Sequence, residues 1–334
     1  MVDDPPIILS TGVTRSVQLS DRTCIAELAS HTYGGNDWIM NAFEGWIASP
    51  LDLTLGIEID GSLRALENLR LVDDGRTGWI EALRVHPTVR RRGLAMRLQS
   101  ELIKAAKDRW PTIERFRYTT ASFIPASLKI ANACGMKAVH RWGLSLASSA
   151  DTGSDEIAAH ASPAELCARL RKEYEKVNFQ VAEETAVIKS CSAADVTKIA
   201  TRKGFSMATV GMLYDWKVEC ACDRAVVKLF EAGTTAAVLR NDNGRESLSL
   251  GRTRPDFTGT VRVWTIEVDD IGHLNERYRD FLVLAIHECE IAEKHETSSC
   301  MFFFPIEFNP ALLAAKIASP EKECILLEGG RYVV

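Results

Sequence analysis

Residues 81–103 read EALRVHPTVRRRGLAMRLQSELI. Arg90, Arg91 and Arg92 are adjacent, Gly93 follows, and Leu94, Ala95 and Met96 open an amphipathic run. Cations at a helix start are disfavoured, because the helix dipole is already positive there. The arrangement makes sense when an anion occupies that end. A phosphate site needs backbone N–H groups pointing at the ligand, a glycine where the backbone comes close, and a small residue where the helix begins. The stretch Arg90 to Ala95 supplies all three, and its arginines can neutralise the outer oxygens. A solvated charge run is the plainer reading of three adjacent arginines, but it explains neither the glycine nor the sign of the charge.

Two carboxylates lie upstream. In a strand, residues two apart share a face, so Glu81, Leu83 and Val85 are expected to project together. A carboxylate there can relieve an incoming ammonium of its proton, or it can simply pair with an arginine. Glu67, in RALENL on the preceding strand, can share that cleft and bind an ammonium, or play a structural part; two carboxylates close together raise one pKa. Further upstream, TYGGNDWIM offers Gly34-Gly35 for unusual backbone angles. Asn36 or Asp37 can cap the next helix, and Tyr33 and Trp38 present aromatic faces. His86, before Pro87, reads as a turn residue. His287, Cys289 and His295 share a helix, but the histidines are eight apart with no further ligand pattern, so no metal is expected.

These residues need elements to hold them. SDRTCIAELASHTY and NDWIMNAFEGWIAS have helical spacing, with Ser20 a possible cap for the first. LTLGIEI and SLRALENLRLV are strands joined by a turn at Asp60-Gly61. TGWIEALRV is a third strand, stopped by Pro87, and the arginine loop leads into LAMRLQSELIKAAKDRW. RFRYTTASF, PASLKIANACGM and KAVHRWGLSLAS continue as strand, short helix ended by Gly135, and strand. Small polar residues from Ala147 to Glu156 mark a linker. Past it the order repeats: TTAAVLRN, ESLSLGRTR, TVRVWTIEV, a long helix from Gly272, CMFFFPIEF, NPALLAAKIAS and ECILLEGG. Cys220 and Cys222 read as residues on one strand face.

The chain has 334 residues, 46% hydrophobic and 25% charged, which suits a globular protein of two domains. The net charge of -5 supplies no global field for nucleic acid or anionic lipid. Nine cysteines without a paired spacing, and no apolar run near membrane length, place it in a reducing compartment, the cytoplasm.

VHPTVRRRGLAMRL resembles the acetyl-coenzyme-A motif of the GNAT acetyltransferases, [RQ]-x-x-G-x-[GA] after a strand ending near a proline; Arg90, Gly93 and Ala95 match its specified positions. The surrounding hairpin, long helix, strand and short helix match as well. TYGGNDWI, ALENLRLVDDG and EALRVHP are similar to stretches of the histidine N-acetyltransferase family, well over residues 30–100 and loosely over the rest of the first domain. The resemblance implies an α/β (α+β) fold of tandem GNAT-like domains, each a mixed, mostly antiparallel sheet flanked by helices. Residues 1–150 would be catalytic and 156–334 degenerate. It implies acetyl-CoA as acyl donor, with coenzyme A as product. Backbone at Leu83, Arg84 and Val85 would hold pantetheine, and Arg90, Arg91, Arg92, Gly93, Leu94, Ala95 and Met96 the pyrophosphate. Glu81 would be the base, and Tyr33, Asn36, Asp37, Trp38 and Glu67 would meet a small amine or amino acid, histidine being favoured. Another amine, a peptide N-terminus, or a non-catalytic acetyl-CoA sensor are the alternatives. Where many GNAT enzymes carry a tyrosine that protonates the departing thiolate, this chain has Ala131; Tyr118 and Cys134 are close in sequence. In the second half, Asp269, Asp270 and Glu276 stand where the phosphate loop would be and would repel a pyrophosphate. No nucleic acid or membrane partner is expected, and the oligomeric state is left open.

Overall fold

The computed structural model describes residues 12–35, 37–148, 162–178, 186–202, 205–242, 244–256, 259–315, 317–318 and 322–330. Asn36, Asn243 and most of the Ala147–Glu156 linker lie outside them. The chain divides into two compact units.

The first unit runs β1 (Val13–Ser16), α1 (Arg22–Ser30), α2 (Ile39–Ala48), β2 (Asp52–Ile59), β3 (Ser62–Val72), β4 (Thr77–Val85), α3 (Leu94–Arg109), β5 (Arg115–Ala121) and α4 (Pro125–Ala133). Asp60 and Gly61, at φ 51° and 73°, make the tight β2–β3 turn the sequence promises. Strands β1 to β5 lie in sequence order, antiparallel until β5 runs parallel to β4. The parallel step needs a crossover, and α3 provides it. Helices α1 and α2 bury Ile25, Leu28, Ile39, Phe43 and Trp46 against Leu63, Leu66 and Ala82 on one sheet face. Helix α3 covers the other, burying Leu98, Leu102, Ile103 and Ala106. The first helix starts later than Ser20 suggests, because Leu19–Asp21 form a separate 3-10 turn.

The second unit contains most of β6 (Lys137–Ser148), then α5 (Pro163–Asn178), β7 (Ala186–Ser190), α6 (Ala193–Ala200), β8 (Met212–Tyr214), β9 (Lys217–Glu219) and α7 (Asp223–Glu231). It continues with β10 (Thr235–Asn241), β11 (Glu246–Asp256), β12 (Gly259–Val268), α8 (Leu274–Lys294), β13 (Ser299–Pro305), α9 (Asn309–Ala314) and β14 (Glu323–Gly330). Strands β6, β13, β12, β11, β10 and β7 are neighbours in that order, and only β12 and β13 are parallel, again across a long helix. Alternation along β10 divides the core: Ala237 and Leu239 pack with α5 and α8, Ala236 and Val238 with α6 and α7. Residues 327–330 of β14 count with the first unit, where Glu328 pairs with Arg117 at 2.5 Å, and residues 119–121 of β5 count with the second. Cys220 and Cys222 are not strand residues; β9 ends at Glu219, and Cys222 caps α7.

Candidate active site

Strands β4 and β5 pair only over Thr77–Arg115, Gly78–Phe116 and Trp79–Arg117. Past Trp79 the pairing ends, and that edge of β4 has no strand partner among the described residues. The His86 N–H donates to Arg64 on β3 at 2.8 Å. Val85, one residue out of phase, therefore points its backbone away from β3, and so does Leu83 two residues earlier. The Val85 carbonyl accepts from Arg90 Nε at 3.0 Å. Exposed strand backbone of this kind can hold an extended ligand by sheet-like hydrogen bonds.

The β4 edge leads into the arginine loop. Pro87–Val89 form a 3-10 turn capped by His86, whose Nδ1 lies 2.7 Å from Thr88 Oγ1. Arg91 and Gly93 adopt left-handed φ of 63° and 76°, which glycine tolerates freely and arginine does not. The first bond of α3 runs from Arg97 N–H to the Gly93 carbonyl at 3.0 Å. The N–H groups of Leu94, Ala95 and Met96 therefore have no acceptor within the helix. Arg90, Arg91 and Arg92 are exposed around them. An open helix start, a left-handed glycine and exposed cations fit a diphosphate. The start of α8 is built the opposite way. The carboxylate of Glu276 accepts from His273 N–H at 3.0 Å, and that of Asp269 from Ile271 N–H at 3.2 Å. Arg202 and Arg245 bind those same carboxylates at 2.7 and 3.1 Å.

Glu81 does not share a face with Val85. Leu66 pairs with Arg84 and Asn68 with Glu81, so Ala82 and Leu83 together stand opposite the single residue Glu67. This is a β-bulge, and Ala82 takes its strained turn at φ 65°. Leu66 and Asn68 are two apart on β3 and share a face, so their partners Arg84 and Glu81 do too. Val85, opposite Ala65, faces the other way. Glu81 is half-buried and accepts from Asn68 Nδ2 at 3.2 Å. Asn68 is itself fixed by Asp52 at 3.0 Å and Thr54 at 2.8 Å, with Arg70 closing the set on Asp52.

Asp37 and Arg84 meet from residues 47 apart in sequence. Arg84 donates Nε to Asp37 Oδ2 at 2.5 Å and Nη2 to Oδ1 at 3.0 Å, and Asp37 Oδ1 also accepts from Ile39 N–H at 3.2 Å. Tyr33 lies over the guanidinium at 5.5 Å, and Trp38 sits edge-on to Trp46 at 5.5 Å; Tyr33 and Trp38 are about half exposed. Nothing in the sequence announces the Asp37–Arg84 pair, since no local pattern links the loop before α2 to β4. The network behind Glu81 had a faint signal, polar residues two apart at 52 and 54 and at 68 and 70.

Glu67 is the residue facing the bulge. It is fully buried, its Oε2 has no hydrogen-bond partner among the described residues, and burial pushes its carboxyl well above the usual range. Close to it, the Tyr118 hydroxyl donates to the Ser127 carbonyl at 3.0 Å, and burial pushes its pKa up to about 12. Burial likewise raises the Cys134 thiol, which lies 3.8 Å from Ser100 Oγ. Ala131 is completely buried, so α4 presents no phenol at that place. Glu67 and Glu81 thus lie on opposite faces of the sheet rather than in one cleft. Among the described residues no group of three or more His, Cys, Asp or Glu could hold a metal, and no helix is long and apolar enough to cross a membrane.

Residues 23–135 match the model of the acetyltransferase (GNAT) family. The histidine N-acetyltransferase of Xenopus tropicalis is 34% identical over 95 residues, which cover 28% of this chain and 29% of the relative. That of Oreochromis niloticus is 31% identical over 116 residues, 34% of each. The chain thus spans about a third of the length of the curated relatives it matches. Among solved structures, a tandem GNAT protein from the clavulanic acid biosynthesis pathway, determined without AcCoA, superimposes with a TM-score of 0.52 at 14% identity, covering 96% of this chain and 98% of the other. That likeness is one of fold: two GNAT-like units in tandem. Over residues 23–135 the chain is thus similar to GNAT acetyltransferases, and it resembles the histidine N-acetyltransferases among them.

Proposed function

We propose that the chain is an acetyl-CoA-dependent N-acetyltransferase whose acceptor is the α-amine of a free amino acid, L-histidine being favoured. The observation that carries it is the open start of α3 at the end of a β4 edge that has parted from β5. Gly93, Leu94, Ala95 and Met96 offer backbone N–H groups to the pyrophosphate, Arg90, Arg91 and Arg92 offer charge, and Leu83 and Val85 offer backbone to the pantetheine arm. To form that last bond, Arg90 leaves the Val85 carbonyl and turns toward the phosphates. When bound, acetyl-CoA supplies the acyl thioester that an amine can attack.

An α-ammonium cannot attack until it loses a proton. Glu81, held by Asn68 on the α1/α2 face, takes that proton directly or through one water. On the opposite face lie Tyr118, Cys134 and Glu67, the groups able to give a proton where Ala131 cannot. Tyr33 and Trp38 border the acceptor's approach, and Asp37 acts there through Arg84. The second half, residues 156–334, supports the first and binds no coenzyme A, because the carboxylates of Glu276 and Asp269, bonded to His273 and Ile271 N–H, already stand beside the start of α8 and would repel a pyrophosphate. The nine cysteines are free thiols, in keeping with the cytoplasm.

Free amino acids screened with acetyl-CoA, following thiol release, test the reading. L-histidine should be acetylated fastest. Preference for a polyamine or a peptide N-terminus would reassign the acceptor. Coenzyme A binding without thiol release for any amine would favour a sensor, a reading for which the buried Ala131 speaks.

A further inference from the structure

We propose that Arg84 reads the α-carboxylate of the acceptor, so that the site takes amino acids with a free carboxylate and rejects amines and amides that lack one. This rests on the acetyltransferase reading above, which places the acceptor on the face of Glu81.

The bulge at Ala82 is the starting point. It turns Glu81 and Arg84 to one face of the sheet, within about 10 Å of each other along the strand. A carboxylate and a guanidinium on one face match the two charges of a zwitterion. Glu81 meets the ammonium and Arg84 the carboxylate.

The guanidinium is also built for this. It carries five N–H donors in a planar fork. Asp37 takes Nε and one Nη2 donor, and the Leu83 carbonyl takes one Nη1 donor at 3.0 Å. One donor on each Nη is left to offer to a carboxylate. Asp37 is fully buried and Arg84 is 13% exposed, so the fork is fixed and partly desolvated before any ligand arrives. An ion pair serving only to anchor α2 would need no cover. Here Tyr33, Gly34 and Gly35 take left-handed φ of 49°, 62° and 89° in succession, and the Tyr33 ring lies over the guanidinium. Tyrosine in that region is strained, and such strain collects at ligand clamps.

The test compares L-histidine with L-histidinamide and histamine on the full chain, by thiol release and by calorimetry in the presence of coenzyme A. Because Arg84→Met alone would leave Asp37 charged and buried, the variant is Arg84→Met combined with Asp37→Asn, its fold checked by circular dichroism. The wild type should favour histidine over the amide by about 10²-fold in kcat/KM, mostly through KM. In the folded variant that ratio should fall toward one, through weaker histidine binding. Arg84→Lys should recover only part of it, since an ammonium cannot form the paired bonds. Equal use of histidine and its amide by the wild type would overturn the proposal. So would a preference that survives in the variant. If no amine releases thiol, the acetyltransferase reading fails separately and calorimetry decides: histidine binding that is lost in the variant keeps Arg84's assignment, and histidine binding that is absent or unaltered removes it.

Discussion

Replacing Glu81 by Gln separates chemistry from structure. Glutamine has almost the same shape, and its carbonyl can still accept from Asn68 Nδ2, now 3.2 Å from the carboxylate. Asp52, with its side chain fully buried, stays paired to Arg70 and bonded to Asn68. The change therefore trades one charge-assisted bond for a neutral one at a half-buried place, a loss below about 1 kcal/mol. If Glu81 removes the proton, turnover near neutral pH should drop by about 10²–10⁴-fold, roughly 3–5 kcal/mol in the barrier. The two effects differ enough to be told apart. Steady-state thiol release with the best acceptor, beside a thermal unfolding curve, is the assay. KM for acetyl-CoA should hardly move, since the pyrophosphate and pantetheine groups are untouched. Raising the pH should restore the variant about tenfold per unit until the amine is neutral unaided. Turnover within about twofold of wild type, in a variant that melts normally, would refute the assignment and move the proton to a water chain.

Gly93→Asp should abolish coenzyme A binding, because a side chain at φ 76° is strained and a carboxylate would enter the anion's place; calorimetry should give one site per intact wild-type chain and none in the variant, and two wild-type sites would defeat the supporting role of the second half. Glu267 tests the second unit's core. Burial pushes its pKa from 4.5 to about 7, against the opposing bonds from Ser206 at 2.8 Å and Trp142 at 3.2 Å. A carboxyl whose folded pKa is raised stabilises the fold below the unfolded value and loses that contribution as pH rises through the folded one, so stability should decline between pH 4.5 and 7 by up to roughly 3 kcal/mol from this residue. Urea unfolding of Glu267→Gln should gain on wild type across that interval, and parallel curves would show that Glu267 is not the source.

The sequence by itself determined what depends on neighbours in the chain. The Asp60-Gly61 turn, the strand stopped at Pro87, and the arginine loop opening α3 each follow from a few adjacent residues whose backbone preferences leave little choice. The repeated strand–helix–strand order and the contrast between the two helix starts were legible for the same reason, since caps and charges act within one turn. The short strands β7, β8 and β9 escaped, because such segments carry too few residues for a period to emerge. Tertiary structure alone decided where the polar side chains went. Strict alternation predicts Glu81 beside Val85, but pairing with β3 inserts a bulge at Ala82 and sends Glu81 to the face of Arg84. Asp37 looks like a helix cap and possible ligand, and in the fold it grips an arginine 47 residues away. Glu67 looks like Glu81's partner, and the pleat buries it on the other side of the sheet. Side-chain direction in a sheet is set by register with another strand, and register is a long-range property that no local run of residues contains.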